Sequence, residues 1–420
     1  MPYNFSSVLE KALSRPDSFI QNILPELQPA SDEKLACLAN MLETGSVVDK
    51  QGITKLFIEH LKELGAIYLT KVLYVKRPKL FISIANIIGE LQYAPALDAL
   101  KKALSKDTPD LVLSAIKAIS LMPPKKDNIS VLYDFYLTFE DEVLLSKSIK
   151  YLSGCSDELV PMFLEKYPSL KADRQMWLLN YFSAVGDKRA ESLLIKEFIK
   201  SPLEKGVYCI DGLGRIGTDA AIAALDKGLE SPEWFLRKHI ATALGVSDNK
   251  NAVQALLKIL DDKHVLVRGS AVKGLSMVGN KNPDLLIATL KTANKTLKIN
   301  LIRAMGQLKN EKFVESLIEV LKERDTLFFC IDAVGDLGFS QAEFALRRLL
   351  KDEIWFNRLN ALEALAKLNS RELAQFAQEA LEDENDMVRN SASRILSNIK
   401  SKQSGESKPV TKDVSTLLGF

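Results

Sequence analysis

The chain has 420 residues, 47% of them apolar and 26% charged, which is too long for one ordinary compact core and apolar enough to exclude wholesale disorder. Several domains or a repeat array are the remaining options. Basic residues number 56 against 54 acidic ones, and the formal net charge of +2 does not suit a dedicated nucleic-acid binder.

The first segment, residues 1–70, is helical in pattern but irregular. Pro16, Pro25 and Pro29 interrupt its first forty positions, and "LFIEHLKELG" reads as an imperfect repeat copy closing at Lys62. The N-terminal "MPYNFSSVLEKAL" lacks the basic leader and apolar run of a secretion signal, and "LFISIANIIG" is too short to span a bilayer. A cytoplasmic protein without membrane insertion is expected. Residues 1–70 are expected to cap an array that follows.

From residue 71 to 400 one frame recurs. Small residues mark it at Gly89, Ser120, Ser153, Ser183, Gly214, Gly245, Ser276, Gly306, Gly335, Ala366 and Ser397, about thirty residues apart, a period typical of helical arrays. If each anchor closes a helix, the residues one, four and five before it share a buried face. All are apolar except Ser148 and Ser393. From Gly212 onward the residue two before the anchor is small, Ile395 excepted, which lets neighbouring helices approach closely. Between anchors lies a second amphipathic pattern, as in "NAVQALLKIL", introduced by Thr218, Asn282-Pro283, Ser340 or Ser370 as capping residues. The unit is therefore a helical hairpin, and no stretch alternates like a strand.

Within the frame, Arg237, Arg268, Arg358 and Arg389 each stand eight before their anchors, while Asp262, Asp352 and Asp383 each stand six before an arginine. These residues, above all "DKHVLVRGSAVKGL" and "DENDMVRNSASRIL", resemble HEAT-like repeats, specifically the short bacterial kind associated with phycobilisome lyases. The resemblance covers roughly residues 75–400. It implies an all-α fold, an α-solenoid (superhelix) of about eleven to twelve HEAT-like hairpins, in which the arginines fasten repeats through aspartates of the same or the next repeat. Trp234 and Trp355, eleven before their anchors, are then expected to pack on the adjoining repeat. At Gly335 the arginine position holds Leu327, with Phe328 and Phe329 beside it, which predicts a bend or a seam for partner contact. Cys209 and Cys330 fall on the buried face and read as small hydrophobes.

Relatives of this repeat type that hydroxylate a modified lysine carry repeated His-Glu metal motifs. This chain has three histidines, His60, His239 and His264, without such pairs, so no metal, no small-molecule cofactor and no enzymatic activity are expected. "GLGRIG" follows a helix and recurs as "AVGDLG", so it is the repeat's turn and not a dinucleotide site. The inner-helix row three before each anchor runs through Asn86, Lys117, Lys150, Asn180, Asp211, Thr242, Lys273, Arg303, Asp332, Glu363 and Arg394. Its alternating charge disfavours a phosphate backbone, and so a DNA-repair glycosylase, and suits a protein partner. Aromatics from the row six before, which also holds His239, Asn300 and Asn360, are interleaved with it. The expected function is a non-catalytic protein-binding scaffold, probing its partner with Trp177, Tyr208, Asp211, Lys273, Arg303, Phe329, Asp332 and Glu363 on the concave face. A bilin lyase or chaperone acting on a phycobiliprotein is the alternative that the repeat subtype implies. Residues 401–420 are polar and tether-like, ending in Leu417, Leu418 and Phe420, a candidate docking motif.

Overall fold

The computed structural model describes residues 5–73, 76–105 and 108–404. Leu417, Leu418 and Phe420 lie outside them. The described residues are helical, with no strand among them, and divide into two compact units, Met1–Leu194 and Ile195–Phe420.

Each unit is a stack of helical hairpins, so the chain is an α-solenoid. In the first unit the helices Pro78–Glu90, Pro109–Leu121, Glu142–Leu152 and Ala172–Val185 end at or beside the anchors Gly89 to Ser183. In the second, Ile210–Ile216, Trp234–Leu244, Val265–Val278, Lys295–Gln307, Leu327–Leu337, Trp355–Lys367 and Asp386–Ser404 carry Gly214 to Ser397. These are called anchor helices below. Return helices such as Asp219–Gly228, Asn251–Lys258 and Pro283–Thr292 lie between them. Of the face one, four and five before the anchors, every position is buried except Val272, Ser393 and Leu396. Ser148, polar on that face, is buried too, and its hydroxyl donates to the Leu145 carbonyl of its own helix at 2.7 Å.

The small anchors have a steric cause. A Cβ placed on Gly306 would lie 2.7 Å from the Cα of Ala333, and one on Gly245 would lie 2.7 Å from the Cα of Gly274. In both cases the obstacle is the residue two before the next anchor. Anchor and minus-two position are thus the two sides of one helix crossing, and at these two crossings a larger residue in place of the anchor glycine would push the repeats apart.

The N-terminal segment is less regular. The helix Asp32–Thr44 is capped by Ser31, whose side chain accepts from Lys34 N–H, and Val47–Leu56 starts with a capping box between Ser46 and Asp49. A π-turn, Phe57–Leu61, then runs into Lys62 at φ 44°, left-handed for a residue with a Cβ, before Lys62–Lys71 resumes. Among the expected caps, Thr218 accepts from Ala221 N–H at 3.1 Å and Pro283 occupies the first turn of its helix. Ser370 does something else: its hydroxyl donates to Glu343 at 2.7 Å, across to the preceding return helix.

Arginines tie successive repeats in the second unit. Arg237 donates to both carboxylate oxygens of Asp262, at 2.7 and 2.8 Å, and to the Ser231 and Pro232 carbonyls behind it. Arg358 repeats the arrangement with Asp383 at 2.8 Å twice, and with the Asp352 and Glu353 carbonyls. Each carboxylate therefore lies 25 residues ahead of its arginine. The aspartate six behind an arginine offers it only a backbone carbonyl, as Asp262 does to Arg268 and Asp383 to Arg389. Asp262 thus serves two arginines, one through its carboxylate and one through its backbone. Hydrogen bonds from the Arg237 and Arg358 guanidiniums hold Asp262 and Asp383 below the usual carboxylate range and push both arginines up.

The exceptions follow the same frame. Lys298 stands at the arginine position of its repeat and pairs with Glu323 at 2.8 Å, again 25 residues ahead. The residue 25 after Arg268 is Ala293, and Arg268 keeps only the carbonyl half of the contact. Where Leu327 replaces the arginine it is buried, Phe328 stacks on Phe356 of the next repeat at 5.0 Å, and Arg324 reaches Asp352 at 2.6 Å. Burial pushes Asp352 up, but the Ile354 N–H, Asn357 and Arg324 together hold it below the ordinary carboxylate value.

Candidate functional site

In the second unit, the face of the anchor helices turned away from the return helices collects the candidate contact residues. Tyr208 is exposed in the short turn Gly206–Tyr208 that leads into the helix bearing Asp211. Asp211 is exposed, and its Oδ1 lies 3.0 Å from Nε2 of His239 on the next anchor helix. That hydrogen bond holds the Asp211 carboxyl below its ordinary value. Lys273 is exposed on Val265–Val278. Arg303, exposed on Lys295–Gln307, places its guanidinium 4.7 Å from the centroid of the half-buried Phe329 ring. Phe329 also meets Phe328 edge-on at 4.9 Å.

Further along, Lys367 donates to Asp332 and to Asp336, each at 2.7 Å. Burial pulls the Lys367 ammonium down, and the two carboxylates outweigh it to hold it above its ordinary value. Glu363 accepts from Ser391 and Arg394 of the last anchor helix. The alternating charges of the row thus bond to the next helix one after another: Asp211 to His239, Arg303 to Phe329, Asp332 to Lys367, Glu363 to Arg394. Much of the alternation serves the stack itself.

Trp177 belongs to the first unit, on Ala172–Val185. It is half-buried under the Arg174 guanidinium at 5.6 Å, and its carbonyl accepts from the Tyr136 hydroxyl at 3.1 Å. Asn300, which its register placed with the interleaved aromatics, is buried and donates to the Leu260 carbonyl at 2.8 Å, so it offers nothing to a partner. Lys367 lies one past its anchor, outside both rows. Nothing in the periodicity marks it.

The tryptophans lie at the starts of their helices, on an edge of the stack. Trp234 stacks on His264 of the next repeat at 4.3 Å and 7°, and Trp355 meets Phe356 edge-on at 5.3 Å. Cys209 and Cys330 are fully buried; burial pushes the Cys209 thiol up to about 12 and the Cys330 thiol further still. Among the described residues, no group of three or more His, Cys, Asp or Glu side chains could hold a metal ion, and no helix is long and apolar enough to cross a membrane.

Fold and repeat frame define the class: the chain is a HEAT-like repeat protein. A family profile described as HEAT repeats matches residues 205–276 and 323–397. It reaches HEAT repeats in general and not the phycobilisome-lyase subtype. The chain is 26% identical over 241 residues to a deoxyhypusine hydroxylase of Candida albicans (strain SC5314 / ATCC MYA-2876), covering 54% of this chain and 74% of that protein. This similarity overturns the expectation that the chain is not an enzyme, because a relative matched over half of its length is one. The His, Cys, Asp and Glu side chains among the described residues do not assemble the metal cluster that repeated His-Glu motifs would supply. Among solved structures, the karyopherin Kap121p bound to Pho4p aligns with a TM-score of 0.49 at 13% identity, over 95% of this chain and 54% of that one. The chain spans about half the length of the karyopherins it matches. An engineered protein aligns over 80% of this chain and 99% of its own length, with a TM-score of 0.29 at 17% identity.

Proposed function

We propose that the chain binds a protein partner through the exposed face of the anchor helices in the second unit, centred on Arg303 and Phe329. The observation that carries this is the guanidinium lying over a half-buried ring, 4.7 Å from its centroid, on an otherwise regular face. An arginine on an aromatic platform, ringed by polar groups, has the composition of an interface hot spot. Lys273 stands one repeat before it, and among the described residues no hydrogen bond or ion pair engages its ammonium. The Asp332–Lys367 and Glu363–Arg394 pairs follow. A partner segment lying along this face meets the Lys273 and Arg303 cations beside the Asp332–Lys367 and Glu363–Arg394 pairs, a mixed charge pattern that favours a partner with a complementary one. Tyr208, Asp211 and, in the first unit, Trp177 are the outlying candidates. A docking role for Leu417, Leu418 and Phe420 is a separate proposal, tested by ending the chain at Lys400.

The experiment is quantitative capture from native lysate with the unmodified chain, the Lys273→Glu/Arg303→Glu variant and the chain ending at Lys400. Loss of one and the same protein from the double variant, with retention by the shortened chain, supports the face. Retention by the double variant removes the proposal.

A second reading takes its support from the hydroxylase match alone, in which the chain acts enzymatically on the protein it binds. Incubating purified chain with the captured partner and weighing the partner by mass spectrometry tests it. An unchanged partner mass would count against that reading.

A further inference from the structure

The last described hairpin of the second unit leaves a groove open. It lies between the return helix Leu373–Ala380 and the anchor helix Asp386–Ser404, with a volume of about 500 Å³. Ala366, Leu373, Ala374, Ile395 and Ile399 form its apolar walls, and the exposed Arg371 borders it.

The repeat register shows what would cover such a groove. Two past the anchor, Ile216, Ser247, Val278, Leu308, Leu337 and Leu368 are all buried, whereas Ile399 is half-buried. Seven past, Ala221, Ala252, Phe313 and Ala342 are buried and Pro283 is half-buried; Leu373 is half-buried, and Ala374 beside it is exposed. In the earlier repeats successive return segments touch: Asp219–Gly228 meets Asn251–Lys258, Pro283–Thr292 meets Glu311–Phe313, and Val314–Val320 meets Ser340–Ala342. Among the described residues no return helix follows Asp386–Ser404. The groove is the seat of one more.

We infer that residues 409–418 of the same chain fill this seat as a closing return helix. Residues 405–420 lie outside the described ones, and the inference takes its occupant from their sequence. In "KPVTKDVSTLLGF", Pro409 is a first-turn residue as Pro283 is, and Gly419 suits the position just after a helix. Between them Val410, Val414, Leu417 and Leu418 fall at i, i+4, i+7 and i+8, one apolar stripe. Thr411, Lys412, Asp413, Ser415 and Thr416 are polar, as the outer face of a closing element must be. The length matches too, since Asp219–Gly228 and Pro283–Thr292 have ten residues each.

The connection is long enough. Asp386–Ser404 continues past its anchor Ser397 to Ser404, and residues 405–408 can span up to about 13 Å. A ten-residue helix is about 15 Å long, so one folding back from Ser404 passes Ile399 and comes level with Ile395. Charge favours the same occupant. Asp219 and Glu311, each five past their anchors, accept from Asn249 and Gln341 at the entry of the next return helix. Arg371 holds that position in its repeat, and among the described residues its guanidinium enters no hydrogen bond or ion pair. Glu406, just before Pro409, brings a carboxylate to the matching entry.

The test is hydrogen exchange read by mass spectrometry on the purified full chain, the chain ending at Ser404, and Leu417→Asp/Leu418→Asp, at two protein concentrations a hundredfold apart. The inference expects amides of Leu373–Ala380 and of the last turns of Asp386–Ser404 to exchange at least about tenfold faster in both variants, since burying one leucine is worth that much. Asn251–Lys258 should not change, and protection in the full chain should be the same at both concentrations. Rates that neither variant alters overturn the inference. Faster exchange in the shortened chain alone also overturns it, because that is the fraying of a cut helix. Protection that grows with concentration overturns it as well, giving the groove to the tail of a second copy.

Discussion

Adding one methyl group at either of two helical glycines separates a glycine required by packing from one that is not. Gly306 lies at a crossing: its Cβ would meet Cα, Cβ and the carbonyl oxygen of Ala333 at 2.7, 2.8 and 2.8 Å. Relaxed carbon contacts need about 3.5–4 Å, so the two anchor helices must separate by roughly 1 Å. The obstacle is backbone, and overpacking of this kind costs about 1–3 kcal/mol. Alanine recovers about 1 kcal/mol of helix propensity, leaving a net loss of up to about 2 kcal/mol for Gly306→Ala. Gly269, inside Val265–Val278, has nothing within 4 Å of its Cβ position. Gly269→Ala therefore takes the propensity gain alone, stabilising by about 0.5–1 kcal/mol. Thermal unfolding followed by circular dichroism should show the midpoint falling for Gly306→Ala and rising for Gly269→Ala. Midpoints moving together, with Gly306→Ala rising as Gly269→Ala does, would refute the idea that anchor size is set by helix approach.

Asp262→Asn should destabilise the second unit by about 3 kcal/mol, because it leaves the buried Arg237 guanidinium without its carboxylate; urea unfolding measures it. The depressed Asp262 and Asp383 contribute stability that is complete above the unfolded carboxyl value of about 4 and is lost as pH falls through their lower folded values. The midpoint should thus drop steeply in acid, and less steeply in Asp262→Asn. A thiol reagent should label only the half-buried Cys37 in the native chain, and Cys155, Cys209 and Cys330 only after unfolding, since burial pushes those three thiols up.

The hairpin array is legible in the sequence because its cause is local: three offsets at 3.6 residues per turn share a face, and only Ser148 and Ser393 break the apolar rule. The close approach is half legible. Small residues at Gly306 and Ala333 are visible, but that they face one another across a crossing requires the packed helices. The arginine frame shows a similar limit. The aspartate six behind catches the eye as an ion-pair partner, yet geometry gives it a carbonyl role, and the carboxylate partner lies 25 residues ahead. Arg324, standing in where Leu327 displaced the arginine, is three positions out of register and invisible to the pattern. The alternating row reads in sequence as a message for a partner. Its pairing of Asp332 with Lys367 and Glu363 with Arg394 appears only when neighbouring helices are side by side. Register tells which residues share a face; it does not tell which of them are already spent on each other.

The most direct measurement of the binding face is site-specific photocrosslinking in native lysate, with the reactive side chain placed at Lys273 in one sample and at Gln254, exposed on a return helix, in another. A face that binds a protein along Lys273, Arg303 and Phe329 gives a single adduct from Lys273, absent from Gln254 and suppressed by Arg303→Glu. Equal adducts from both positions, or an adduct from Gln254 alone, would place recognition elsewhere and contradict the account.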